Sequence, residues 1–344
     1  MKLLIITQKI DKNDAILGFF HNWVLKLSKK FEKIKVICLE KGLCELPSNV
    51  EVFSLGKEKG ASKLKYLLNF YRYIFWLRAD YDAVFVHMNQ EYVILGCKFW
   101  KILGKKIFLW RNHPKGNFFT DIACFVSKKV FYTSPQSYTA KFKNSILMPV
   151  GIDTEKFNSQ NENRKRNSIL SLGRISPIKN IHKLVEAAIL LDQRGVDFCL
   201  DIVGDGVNPE DKEYHDSLRK NAEYLVKKGK INFLESVSQE KAVELYQTHE
   251  IFVNLTPSGS MDKTILEAVA CGCTTLVANE FYRDVKWVVV TGLSDSEISE
   301  KLEFFLSTDQ VKPNILQDSS RQYVVENHGL SALMDRLEEE IKNV

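Results

Sequence analysis

Short apolar runs alternate along this chain with stretches of helical period, and the alternation occurs twice. The runs Leu3–Thr7, Lys35–Leu39, Val50–Leu55, Ala83–His87, Ile107–Trp110 and Lys129–Thr133 have strand length. Phe19–Phe31 and Ser62–Arg78 carry apolar residues at helical spacing between them. Strands that alternate with helices predict a parallel sheet covered on both faces. The polar segment Ser159–Asn167 (SQNENRKRN) reads as a linker. Beyond it the pattern restarts: strands at Ser168–Leu172, Cys199–Val203, Ile231–Leu234, Ile251–Leu255 and Thr275–Ala278, and helices at Ile181–Arg194, Glu213–Lys228, Lys241–Thr248 and Leu266–Cys271. The expected class is therefore α/β. It comprises a Rossmann-like domain over 1–158, a second over 159–320, and a helix over 321–344 crossing back toward the first. A chain of 344 residues suits two cores better than one. Ligands of open parallel sheets bind beyond the strand C-termini, so two such domains would share one cleft.

The formal charge of +5 conceals an asymmetry. Residues 1–155 hold 25 Lys and Arg against 13 Asp and Glu, a net of +12, and the remainder is acidic overall. The basic half predicts an anionic partner. Lys63–Arg78 (KLKYLLNFYRYIFWLR) interleaves cations with aromatics at helical spacing, as an interfacial helix on an anionic membrane does. Its aromatics do not follow a nucleic-acid-binding pattern, so no nucleic acid is expected. Met1-Lys2 and the run Leu3–Ile6 are too short for a signal peptide, and no stretch approaches the ~20 apolar residues of a spanning helix. The expected location is cytoplasmic, peripheral on the inner face of the cell membrane. The 7 cysteines show no paired ligand spacing and read as buried thiols.

Three turns carry the chemistry. In Leu172–Asn180 (LGRISPIKN), Gly173 ends a strand and Arg174 and Lys179 precede a helix, placing two fixed cations beside helix N-terminal amides. That is an anion site by charge and by dipole, suited to neutralising a diphosphate leaving group. In Val203-Gly204-Asp205-Gly206, glycine lets a ligand approach the backbone. In Asn254–Cys271 (NLTPSGSMDKTILEAVAC), a small-residue loop of Gly259, Ser260, Met261, Asp262 and Lys263 opens a helix bearing Glu267. Its amides suit hydroxyls or phosphate, and Glu267 suits a ribose diol.

Taken in order, G-R-x4-K-N, V-G-D-G and P-S-G-S-M-D-K-x3-E-A-x-A-C-G resemble the retaining GT-B glycosyltransferases of the family 4 type (glycosyl transferases group 1). Met148–Asp153 with Phe157 resembles that family's interdomain stretch. The resemblance covers nearly all of the second half. It implies that Arg174 and Lys179 hold the donor diphosphate, that Glu267 binds ribose, and that Ser236 and Val237 contact the base through their backbone. It also implies that the Gly259–Lys263 amides contact the sugar, that Gly18 lies in a loop near the phosphates, and that His113 faces the donor sugar. The implied co-substrate is a UDP- or GDP-sugar, the acceptor a glycan or lipid-linked glycan in surface polysaccharide or glycoconjugate synthesis, and no metal or other cofactor is required. One departure matters: the family commonly has two glutamates flanking seven residues, and the first falls on Gly259. We expect Asp262 to replace that carboxylate. A catalytically degenerate GT-B subunit or a nucleotide-binding scaffold is the alternative.

Overall fold

The computed structural model describes residues 1–14, 17–159, 164–258, 261–283, 288–307 and 314–343, with side chains throughout except at 314–318. The chain forms two compact units, Met1–Gly151 with Leu330–Val344, and Ile152–Gly329.

The first unit runs β1 (Lys2–Ile10), α1 (Gly18–Leu27), β2 (Lys33–Lys41), β3 (Val50–Ser54), α2 (Lys63–Trp76), β4 (Ala83–His87), α3 (Gln90–Ile102), β5 (Lys106–Trp110), α4 (Phe118–Val126), β6 (Lys129–Tyr132) and β7 (Ser145–Leu147). Its sheet is parallel in the order β3-β2-β1-β4-β5-β6-β7. Strand β1 explains the layers. Leu3 and Ile5 point into a core shared with Phe20, Trp23 and Val24 of α1. Leu4 and Ile6 point the other way, into a core with Phe70 and Ile74 of α2, Trp100 of α3 and Cys124 of α4. Burial on both faces is why this strand reads as an unbroken apolar run.

The second unit runs β8 (Lys165–Leu172), α5 (Ile181–Gln193), β9 (Cys199–Val203), α6 (Pro209–Asn221), α7 (Glu223–Lys227), β10 (Ile231–Leu234), α8 (Gln239–Thr248), β11 (His249–Asn254), α9 (Lys263–Ala270), β12 (Thr274–Val277), β13 (Val288–Val290), α10 (Asp295–Ser307) and α11 (Asn314–His328). Its parallel order, β10-β9-β8-β11-β12-β13, repeats that of the first unit. Both are Rossmann-like, with the strand order reversing at β1/β4 and at β8/β11.

A final helix, α12 (Leu330–Lys342), belongs to the first unit. Leu330, Leu333, Met334, Leu337 and Ile341 form its buried stripe, packed in the core that holds Trp23, Leu27 and Phe31. Lys30 donates to Asp335 (2.5 Å) and Glu338 (3.0 Å) at its margin.

Three sequence expectations change. Lys165–Asn167, read as linker, opens β8. Its neighbour Arg164 is not a solvated residue, since its guanidinium donates to the carbonyls of Tyr246 (3.0 Å), His249 and Cys271. The helix expected at Glu213–Lys228 is two helices meeting at Ala222. The C-terminal helix expected over 321–344 breaks at Gly329, where Ile152 and Gly329 form a parallel bridge and the Ile152 amide donates to the His328 carbonyl (2.8 Å).

Candidate donor site

In the second unit the turns after β8 and β9 lock together. The Gly173 amide donates to the Val203 carbonyl (3.0 Å) and the Ile175 amide to the Asp205 carbonyl (3.0 Å). Gly173 has φ +144° and Gly204 φ +142°, conformations that L side chains rarely adopt. At Gly204 a Cβ would stand 2.0 Å from the Gly173 carbonyl oxygen. Gly204 is thus demanded by both its backbone conformation and the contact between the turns, and Gly173 by its backbone conformation alone.

Against these turns lies a small cavity of about 10 Å³, lined by Gly173, Arg174, Lys179, Asn254 and Leu255 among others. It sits where β8 and β11 part, at this sheet's topological switch. Arg174 is half exposed, with Nε 3.8 Å from the buried Asp211 carboxylate. Lys179 closes a short turn, Pro177–Lys179, which leads into α5 through Asn180. Asn180 takes the left-handed conformation (φ +50°) and donates to the Leu255 carbonyl (3.0 Å), tying the start of α5 to the end of β11.

The Lys179 ammonium meets Asp262 Oδ2 at 2.5 Å. Asp262 caps α9: its Oδ1 accepts from the Thr264 amide (3.2 Å) and hydroxyl (2.9 Å), while Oδ2 also accepts from Asn254 (2.9 Å). Burial pushes this carboxyl up, but the Lys179 charge and these hydrogen bonds outweigh it and hold it below the usual range. Both oxygens are thereby engaged within the protein.

Glu267 lies one turn further along α9, half-buried, and its Oε2 is 3.5 Å from the Tyr246 hydroxyl. Burial raises its carboxyl, and the neighbouring Lys263 opposes this only in part. Burial likewise lowers Lys263, against the pull of Glu267. Asp205 Oδ2 accepts from the Ser236 amide (2.9 Å), and that bond holds Asp205 below the usual carboxylate range. The Ser236 amide is thus occupied within the protein.

The structure brings Gly173, Gly204, Arg174, Lys179 and Asp262 into one constellation. Lys263 and Glu267 sit on the adjoining helix, and Ser236 and Val237 on the loop that Asp205 anchors. Met261 is half-buried beside the cap, whereas Gly259 and Ser260 lie outside the described residues. Asp205, Asp211, Asn254 and Thr264 were missed. Only the D-x-T spacing of Asp262 and Thr264, a helix-cap signal, was available to find one of them.

Gly18 and His113 belong to the first unit. Gly18 is the first residue of α1, where a Cβ would stand 3.2 Å from the Lys12 carbonyl oxygen. His113 is exposed in the turn after β5, with the Lys115 amide 3.0 Å and the Lys115 carbonyl 2.9 Å from Nδ1. Depending on the tautomer, Nδ1 accepts from that amide or donates to that carbonyl. Arg111 steadies the turn by donating to Gln90 (2.5 Å) and the Lys115 carbonyl (3.0 Å).

Residues 152–323 match the family model described as Glycosyl transferases group 1. A relative is the UDP-N-acetylglucosamine--peptide N-acetylglucosaminyltransferase GtfA subunit of Streptococcus parasanguinis, 29% identical over 136 residues. The match covers 39% of this chain and 25% of that protein, so this chain aligns with about a quarter of its relative's length. Anabaena Alr3699/HepE, solved in complex with UDP and glucose, superposes with a TM-score of 0.75 at 14% identity, covering 100% of both chains. A glycosyltransferase from Rickettsia africae ESF-5 does so with a TM-score of 0.74 at 14% identity, covering 100% of this chain and 99% of that one. At such identities the likeness is one of fold, the two Rossmann-like domains of GT-B proteins.

Proposed function

This chain belongs to the glycosyl transferases group 1 family, and from that premise we propose that it is a retaining, family 4 type enzyme. It moves a hexose-type sugar from a UDP- or GDP-sugar to a glycan or lipid-linked acceptor in surface polysaccharide or glycoconjugate synthesis. The observation that carries the reading is the pair Arg174 and Lys179 lining one cavity at the β8/β11 switch point, ahead of the α5 N-terminus. Two fixed cations and a helix dipole at one point select a dense anion, and a diphosphate is the anion that a sugar donor brings.

In the proposed reaction the bond from the sugar C1 to the diphosphate oxygen breaks, and the charge released is held by Arg174 and Lys179. The acceptor hydroxyl attacks C1 from the same face, and its proton passes to the departing phosphate oxygen. Glu267 binds the ribose diol, Val237 and the Ser236 carbonyl meet the base, and the Met261–Lys263 backbone serves the sugar. Asp262, which stands near the missing glutamate at Gly259, contributes by holding Lys179. His113 is the residue of the first unit assigned to the donor sugar. Fixed cations supply the neutralisation for which other transferases use a divalent ion, so turnover should survive EDTA.

The protein works on the cytoplasmic face of the membrane as a peripheral enzyme. No helix among the described residues is long and apolar enough to cross a bilayer.

Calorimetric titration with UDP and GDP, followed by a screen of nucleotide sugars for slow hydrolysis, tests the proposal. Binding with hydrolysis supports it. Binding without hydrolysis or transfer favours the degenerate subunit that Gly259 suggests, and binding of neither nucleotide removes the donor site.

A further inference from the structure

We propose that the outer surface of the α2–α3–α4 layer docks onto an anionic lipid bilayer. This deepens the peripheral-membrane part of the reading above by naming the surface. Helix α2 is two-faced: Phe70 and Ile74 are buried against the sheet, while Leu64, Leu68 and Phe75 are 66%, 62% and 58% exposed along the opposite side. That is a solvent-facing stripe at helical spacing, with the Arg78 guanidinium 4.4 Å from the Phe75 ring centroid at its end.

The stripe does not stand alone. Phe75 packs beside Phe99 of α3 with ring centroids 6.2 Å apart, and the Tyr71 hydroxyl of α2 donates to the Leu95 carbonyl of α3 (3.1 Å). Helix α4 packs along the other side of α3. These two helices add Ile102 at 84% exposed, Phe118 at 71% and Phe125 at 85%. Three adjacent helices on one face of one sheet thus all present large apolar side chains to the solvent. Scattered exposed hydrophobics need no explanation, but a concentration on one layer marks an interaction surface.

Charge selects the occupant. The three helices carry Lys63, Lys65, Arg72, Lys98 and Lys101, all exposed, against two carboxylates, Glu91 and Asp121. A second copy would oppose cations to cations, whereas an anionic bilayer takes the aromatic side chains at its interface and the ammonium groups at its headgroups. The cations neighbour the apolar residues along these helices, Lys63 and Lys65 flanking Leu64 and Lys101 preceding Ile102, so both sets can engage together.

The test is co-sedimentation of the full chain with phosphatidylglycerol/phosphatidylcholine vesicles and with phosphatidylcholine alone, together with Phe75→Glu and Phe125→Glu variants. Both side chains are exposed, so these variants should fold, and an unchanged UDP titration and melting curve verify it. Expected is salt-sensitive pelleting with the anionic vesicles only, reduced on the order of tenfold by each substitution. Absence of pelleting, or variants that pellet like the parent, overturns the proposal. So does a concentration-dependent dimer that Phe125→Glu dissociates, since the face would then belong to a second copy. Vesicle binding by a protein that ignores UDP and GDP would leave this surface standing and remove the donor site instead.

Discussion

Replacing Asp262 by alanine removes in one step the cap of α9 and the carboxylate that holds Lys179. Loss of an N-cap costs about 1 kcal/mol. Loss of a charge-assisted hydrogen bond costs about 1.5–3 kcal/mol, less here because Lys179 is 24% exposed and its ammonium can recover water. The combined expectation for Asp262→Ala is about 2–3 kcal/mol of stability. Asparagine caps a helix as well as aspartate does, so Asp262→Asn should lose only the ionic part, about 1–2 kcal/mol. Urea unfolding followed by circular dichroism should rank parent, asparagine variant, alanine variant. The carboxyl is held below its unfolded value, so its contribution is present above about pH 4 and is lost as the pH falls through the depressed folded-state value. Parent and asparagine variant should therefore converge in strong acid. Both variants should also weaken UDP binding, because the ammonium loses its anchor. An Asp262→Ala protein as stable as the parent and equally tight for UDP would refute the reasoning. Normal UDP binding with lost sugar transfer would instead place the carboxylate on the sugar.

Lys179→Ala and Arg174→Ala should each weaken UDP binding by roughly 10- to 100-fold and reduce its salt dependence, as calorimetry at two ionic strengths will show. Because burial raises the Glu267 carboxyl, an ionised diol acceptor is lost on mild acidification. Donor affinity should fall as the pH is lowered below neutrality, and a Glu267→Gln protein should bind more weakly with a flat profile over the same range. Gly204→Ala drives a Cβ into the Gly173 carbonyl at a φ of +142°, so it should destabilise the second unit by about 2–4 kcal/mol in urea and impair UDP binding.

The layer order of each unit was legible because local periodicity reports it. Leu3–Ile6 is apolar on both faces since helices cover both, and Ala83–His87 and Cys199–Val203 have the bounds their patterns predict. Boundaries blurred where polar residues serve a tertiary purpose. Arg164 reads as linker because nothing nearby in sequence reveals that its guanidinium will bind carbonyls from three other segments. Gly329 passes for an ordinary interruption in a helical stretch, although α12 beyond it carries a complete buried stripe for the first unit's core.

By itself, the sequence determined the two parallel sheets, their matching order of elements, and the turns at Gly173, Gly204 and Asp262. Each depends on side-chain period or on conformational freedom, which neighbouring residues alone set. Only the tertiary structure decided that Lys179 is paired with Asp262, 83 positions away, and that the Ser236 amide is already taken by Asp205. It alone decided which aromatics of Lys63–Trp76 face the sheet and which face solvent. Those outcomes follow from where the packing of each unit brings remote chain segments together, and no local pattern encodes such a distance.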